Sequence, residues 1–110
     1  MDTPVPGVVR TFFEASSRRD VEAITGLFTE DGVVVDEAAT RRGTGEIRAW
    51  QEGPASQYRY TTEVLATEVQ GEDVFLVRGR IVGDFPGGTA DLTWRFTLAG
   101  ERIHRLEIAP

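Results

Sequence analysis

Apolar residues near the start of the chain repeat at helical spacing. Val5, Val8, Val9, Phe12 and Phe13 form one stripe, which predicts a helix buried along that side. Thr3 can cap it, Pro4 suits a first helical position, and Arg18 and Arg19 fall near its end, where positive charge is favoured. Asp20 reads as the cap of a second helix, with Val21, Ile24, Leu27 and Phe28 on its buried side. Asp31-Gly32 reads as a turn, and Val33-Val34-Val35 as a short β-branched strand that Asp36 ends. Residues 37–43 read as a loop or hairpin. Thr44 then caps a short helix carrying Ile47 and Trp50, closed by Gly53-Pro54.

From Tyr58 the period changes to two. Strands are predicted over Tyr58–Val69 and Val74–Val82, joined by a turn at Gly71-Glu72-Asp73. The segment 83–88 is rich in glycine and proline and reads as a connection. Residues 89–98 alternate cleanly. Ala90, Leu92, Trp94, Phe96 and Leu98 face one side, and Thr89, Asp91, Thr93, Arg95 and Thr97 the other. A last strand carries Ile103, Leu106 and Ile108. Helices first and antiparallel strands after them make an α+β layout. No linker or repeat divides it, so residues 1–110 are expected to form a single domain.

Several of these segments carry a family likeness. They are the paired aromatics of the first helix, Asp20-Val21-Glu22-Ala23-Ile24, the run from Leu27 to Asp36, Gly43-Thr44-Gly45-Glu46-Ile47, and the terminal Trp94-Arg95-Phe96 with Ile103. This order resembles the nuclear transport factor 2-like superfamily, in particular its SnoaL-like and ketosteroid isomerase-like bacterial members. The resemblance implies a cone-shaped, strongly curved, mostly antiparallel sheet wrapped around the N-terminal helices, the cystatin-like roll. It also implies a deep apolar pocket between sheet and helices, suited to a small hydrophobic molecule. An open sheet face that pairs two subunits is a further implication, so a homodimer is expected through Arg78, Arg80, Arg95, Thr93 and Thr97.

Composition narrows the chemistry. Eighteen acidic residues face twelve basic ones, a net charge of −6, which argues against a nucleic-acid partner. Cysteine is absent and histidine occurs once, which excludes disulfides, thiolate zinc sites, thiol nucleophiles and multi-histidine metal sites. Neither a metal nor a cofactor is expected. No apolar run is long enough to cross a bilayer and the N-terminus does not read as a signal peptide. A cytoplasmic location is the default. Gly43-Thr44-Gly45 lacks the length and lysine of a phosphate loop.

Asp36 is the first candidate for chemistry. The resemblance places it where ketosteroid isomerase-like proteins keep an aspartate that shuttles a proton beside a carbonyl. Such a carboxylate works best when apolar walls make it a stronger proton acceptor. The bland alternative is an aspartate that caps a turn at a strand end. The isomerase donors are not matched: Phe12 stands at the tyrosine position and Leu92 at the late-strand acid. True steroid isomerase activity is therefore not expected. The acid of SnoaL-like cyclases falls near Ile108, with Glu107 beside it on the opposite parity. An epoxide hydrolase-like Asp-Arg-Asp set would need Asp36, Arg80 and Asp91, but the alternation sends Arg80 and Asp91 outward.

His104 shares strand parity with Leu106 and Ile108. It is expected to face the interior, as a partner in acid–base work or as a hydrogen-bonded core residue. Phe12, Trp50, Tyr58, Tyr60, Leu92, Trp94 and Leu106 are the expected ligand-lining residues. The functional expectation is a cofactor-free isomerase or cyclase acting on a hydrophobic cyclic or polyketide-like compound, with Asp36 as proton shuttle. The alternative is a non-catalytic ligand-binding or dimerisation module of the same fold.

Overall fold

The computed structural model describes residues 6–53, 55 and 57–110. The expected roles of Thr3, Pro4, Val5 and Pro54 lie outside that set. Helix α1 covers Gly7–Ser17 and buries Val9 and Phe12 of the anticipated stripe, together with Ala15, while Val8 and Phe13 are half-buried. Helix α2, Val21–Gly26, is capped by Asp20, whose side chain accepts from the Ala23 N–H at 3.1 Å. Leu27 only caps the end of α2, and Phe28 opens strand β1, Phe28–Asp36. Strand β2 is Ala39–Arg42 and helix α3 Gly43–Glu52. Arg42, not Thr44, is the N-cap of α3, and its backbone N–H is satisfied by Glu46 Oε1 at 2.8 Å. Strands β3 (Tyr60–Val69), β4 (Val74–Gly83), β5 (Thr89–Ala99) and β6 (Arg102–Ala109) follow.

The six strands form one sheet in the order β2-β1-β6-β5-β4-β3. Four of the neighbouring pairs are antiparallel, but β1 runs parallel to β6, so the sheet is mixed. The expected strongly curved roll does not form: the sheet is neither strongly curled nor closed. Its edges, β2 and β3, do not pair with each other. The molecule measures 37 × 36 × 24 Å, and the short dimension suits one helix layer lying on one open sheet. A physical reason lies at the edges. Strand β2 has four residues against ten in β3, too few to carry the ladder that closure needs.

The core sits between the layers. Phe12, Ile24, Ile47 and Trp50 from the helices meet Val34, Val77, Trp94, Phe96, Ile103 and Leu106 from the sheet. Phe12 and Phe96 stack edge to face with centroids 5.4 Å apart, and Phe13 and Trp94 at 5.3 Å. Helix α3 packs on β1 and on α2, while α1 packs on α2 and touches β3.

Two irregularities change what the strands present. Asp31-Gly32 is not a turn but part of β1, in a bulge where Phe28 pairs with Ile103 and Val33 with Arg105. On β6, Leu98 faces Ile103 and Thr97 faces Arg105, so His104 is an extra, unpaired residue. Glycine matters at one close approach. A Cβ on Gly83 would lie 2.2 Å from the Arg59 carbonyl oxygen and 2.6 Å from Tyr60 Cβ. A side chain there would push away the first residues of β3. No helix among the described residues is long and apolar enough to cross a membrane.

Candidate functional site

Between the helices and the inner sheet face lies a cavity of about 400 Å³, lined from α1, α3 and the strands β1, β3, β4, β5 and β6. Asp36 reaches it through simple parity. Val34 is fully buried, and a residue two positions along a strand points to the same side. The same row continues on β6, where Val34 pairs with Leu106 and Asp36 with Ile108. A tight turn follows at once. Glu37 and Ala38 both adopt positive φ, 53° and 61°, and Asp36 pairs with Ala39 across the hairpin. That is the geometry of a two-residue primed turn. Arg41 Nη1 braces it by donating to the Asp36 carbonyl at 2.8 Å.

The Asp36 carboxylate is tied to α3. Trp50 Nε1 donates to Asp36 Oδ2 at 3.0 Å. A buried indole N–H needs an acceptor, so burial of Trp50 and the orientation of Asp36 support each other. The strand-end aspartate is thus bonded to a side chain across the layer rather than capping its own turn by that oxygen.

Tyr60, the first residue of β3, lines the same cavity. Its hydroxyl is held above the usual phenol range, first by burial, then by the charge of Asp36, with Arg19 opposing. The residue as a whole keeps 42% of its surface exposed, so the desolvation acts locally, at the hydroxyl end. Arg19 donates through Nη2 to the Tyr58 carbonyl and also lines the cavity. It sits just beyond α1 in the left-handed region, at φ 55°. Tyr58 takes a hydrogen bond on its hydroxyl from Gln57 Nε2 at 3.2 Å and stacks edge to face on Phe85.

Of the residues singled out from the sequence, Asp36, Phe12, Trp50, Tyr58, Tyr60, Leu92 and Trp94 line this cavity. Leu106 does not: it is wholly buried in the core beneath, and Ile108 lines the cavity instead. The expectation that His104 faces the interior fails as well. The bulge on β6 reverses its parity, so Ile103 and Leu106 both point inward while His104 is exposed. Its Nδ1 lies 3.4 Å from Thr29 Oγ1 and 3.7 Å from Asp31 Oδ1, and it takes no part in the cavity wall. Arg80 and Asp91 pair with each other at 2.8 Å, away from the cavity. That bond holds the Asp91 carboxyl below its usual range. Among the described residues no group of three or more His, Asp or Glu could hold a metal ion.

Arg19 and Phe85 line the cavity without having been anticipated. For Phe85 a signal existed, a large apolar side chain inside a glycine-rich connection, which needs somewhere to bury itself. Arg19 offered none, because a cation after a helix is fully explained by the helix dipole.

Comparisons with known proteins agree on the architecture. The family model described as a SnoaL-like domain matches residues 9–106. Among solved structures, a protein of Sinorhizobium meliloti provisionally described as a polyketide cyclase is 38% identical, with a TM-score of 0.89 over 96% of this chain and 95% of its own. A hypothetical protein of Catenulispora acidiphila with a ketosteroid isomerase-like fold, solved with trimethylamine, is 19% identical, with a TM-score of 0.84 over 97% and 87%. The epoxide hydrolase/cyclase-like enzyme SalBIII, linked to pyran ring formation in the polyether salinomycin, is 20% identical, with a TM-score of 0.79 over 92% and 85%. No curated protein matches the chain.

Proposed function

The chain belongs to the SnoaL-like domain family, and within it we propose a cofactor-free isomerase or cyclase that acts on a hydrophobic cyclic or polyketide-like compound. The observation that carries this reading is the Asp36 carboxylate, bonded to Trp50, in a cavity walled largely by aromatic and aliphatic side chains. Trp50 engages Oδ2 at 3.0 Å, and the proposal assigns the proton to Oδ1. That oxygen takes a proton from a carbon next to a carbonyl, and the C–H electron pair moves onto the carbonyl oxygen as an enolate. The same proton returns to a different carbon in an isomerisation. In a cyclisation the enolate carbon attacks a second carbonyl of the same molecule, and the proton goes to the new alkoxide. Both routes balance without an oxidant or reductant. The similarity to a polyketide cyclase candidate at 38% identity supports the substrate class.

A second reading, ligand binding without turnover, is favoured by Phe12, which has no hydroxyl where the isomerases carry a donor. Hydrogen–deuterium exchange at the acidic carbons of 2-tetralone, followed by NMR, separates the two. An enzyme of the proposed kind speeds exchange over buffer. Asp36→Asn is expected to lose about 10²–10⁴-fold of that rate while binding the ketone nearly as well. Equal exchange rates in Asp36→Asn and the unchanged protein remove Asp36 as the base. A cavity that binds the ketone without speeding exchange supports the second reading. A homodimer through the outer sheet face is also part of the proposal. It is supported by Val82, 48% exposed, on the same strand as Arg78 and Arg80 and beside the strand of Thr93, Arg95 and Thr97.

A further inference from the structure

Proton abstraction beside a carbonyl leaves negative charge on oxygen, and without a donor there the step is slow. The donors that the resemblance would supply are replaced by Phe12 and Leu92. Several polar groups of the cavity can be weighed. The Trp50 N–H is committed to Asp36. The Tyr58 hydroxyl accepts from Gln57 Nε2, and its ring is held edge to face against Phe85. Tyr60 and Arg19 both stand on the wall of the cavity that holds Asp36, and the Tyr60 phenol feels the charges of both Asp36 and Arg19.

We infer that Tyr60 is the hydrogen-bond donor to the substrate carbonyl opposite Asp36, with Arg19 supplying a fixed positive charge at the same end of the cavity. The inference rests on the proposed reaction and names the residue that completes it. The donor has then moved from the first helix to the edge strand β3.

Three features of the structure suit Tyr60 to the task. Its backbone is seated by Gly83, its direct partner across β3 and β4, where no side chain would fit. Its phenol, held above its ordinary range by burial and by the charge of Asp36, carries at neutral pH the proton it would donate. Arg19, held by the Tyr58 carbonyl, acts on that phenol in the opposite sense, as a cation near the hydroxyl must. The same cation would favour an enolate oxygen. Tyr60 donates a hydrogen bond and keeps its proton, so the balance of the step is unchanged.

The test uses 2-tetralone and its hydrocarbon counterpart tetralin, which lacks the acceptor oxygen. In the unchanged protein the infrared carbonyl stretch of bound 2-tetralone is expected to shift to lower frequency. In Tyr60→Phe the shift is expected to be lost, with 2-tetralone bound about 10-fold more weakly. Tetralin should bind both proteins within about 2-fold, which shows that the cavity has survived. Exchange in Tyr60→Phe should fall in kcat by about 10²-fold, more than KM changes. Asp36→Asn should slow exchange by about 10²–10⁴-fold and keep the carbonyl shift. A carbonyl stretch identical in the unchanged protein and Tyr60→Phe overturns the role of Tyr60 alone. A shifted stretch without accelerated exchange overturns the role of Asp36 alone. Failure of the unchanged protein to bind either bicycle overturns both.

Discussion

Asp36 owes its place to a count of two from Val34 and to the tight turn that follows it. Its neighbours come from elsewhere in the chain: Trp50 from α3 and Tyr60 from β3, whose phenol also feels Arg19 from the end of α1. These couplings can be read directly, because Tyr58→Phe leaves Tyr60 as the chain's one tyrosine. In that background the phenolate absorbance of Tyr60 should titrate above the ordinary phenol value of 10.0. Adding Asp36→Asn should bring the titration down, and adding Arg19→Gln should push it up. A titration indifferent to both changes would remove Asp36 and Arg19 as its neighbours. The sign for stability follows from linkage. The fold favours the neutral phenol, so its contribution is complete below about pH 10 and is lost as pH rises through the folded value.

At the scale of elements, the β1–β2 hairpin carries a visible cost. Its turn residues Glu37 and Ala38 hold φ values of 53° and 61°, a region that side chains with a Cβ adopt at a penalty of about 1–2 kcal/mol each. Two-residue turns of this kind usually use Asn-Gly or Asp-Gly, and Glu-Ala explains why residues 37–43 could be read equally as a loop. Ala38→Gly is expected to raise unfolding stability by about 1 kcal/mol, with an unchanged denaturant slope. A lower midpoint would show that the turn relaxes in solution. The bulges work in the same register-setting way. The extra residue on β6 makes Ile103 and Leu106 face inward together and turns His104 out. The alternation of Leu106 and Ile108 alone gives no sign of that.

For the whole molecule, the open sheet leaves one face to the helices and the cavity and the other to its surroundings. Arg80 and Asp91 lie away from the cavity, bonded to each other, and Val82 on the same strand is half exposed. Sedimentation is expected to show a dimer at micromolar concentration that Val82→Glu dissociates, since the change adds a negative charge to the outer sheet face of each copy. Sedimentation as a monomer at every concentration would remove the second copy. The net charge of −6 opposes self-association at low salt, so the dimer should tighten as salt screens it.

Local physics determined a good deal from the sequence alone. Periods of 3.6 and 2 separated helices from strands, the Asp20 cap was readable, and the alternation through Trp94 and Phe96 identified an inward row. These depend on residues a few positions apart, whose side-chain directions are set by backbone geometry. The family resemblance added the domain type. Tertiary structure decided the rest: the parallel pairing of β1 with β6, the open sheet in place of a roll, the outward turn of His104, and the meeting of Arg19, Asp36, Trp50 and Tyr60 around one cavity. Each depends on strand register or on segments far apart in sequence, and one unpaired residue is enough to reverse a face. No local pattern encodes such a count.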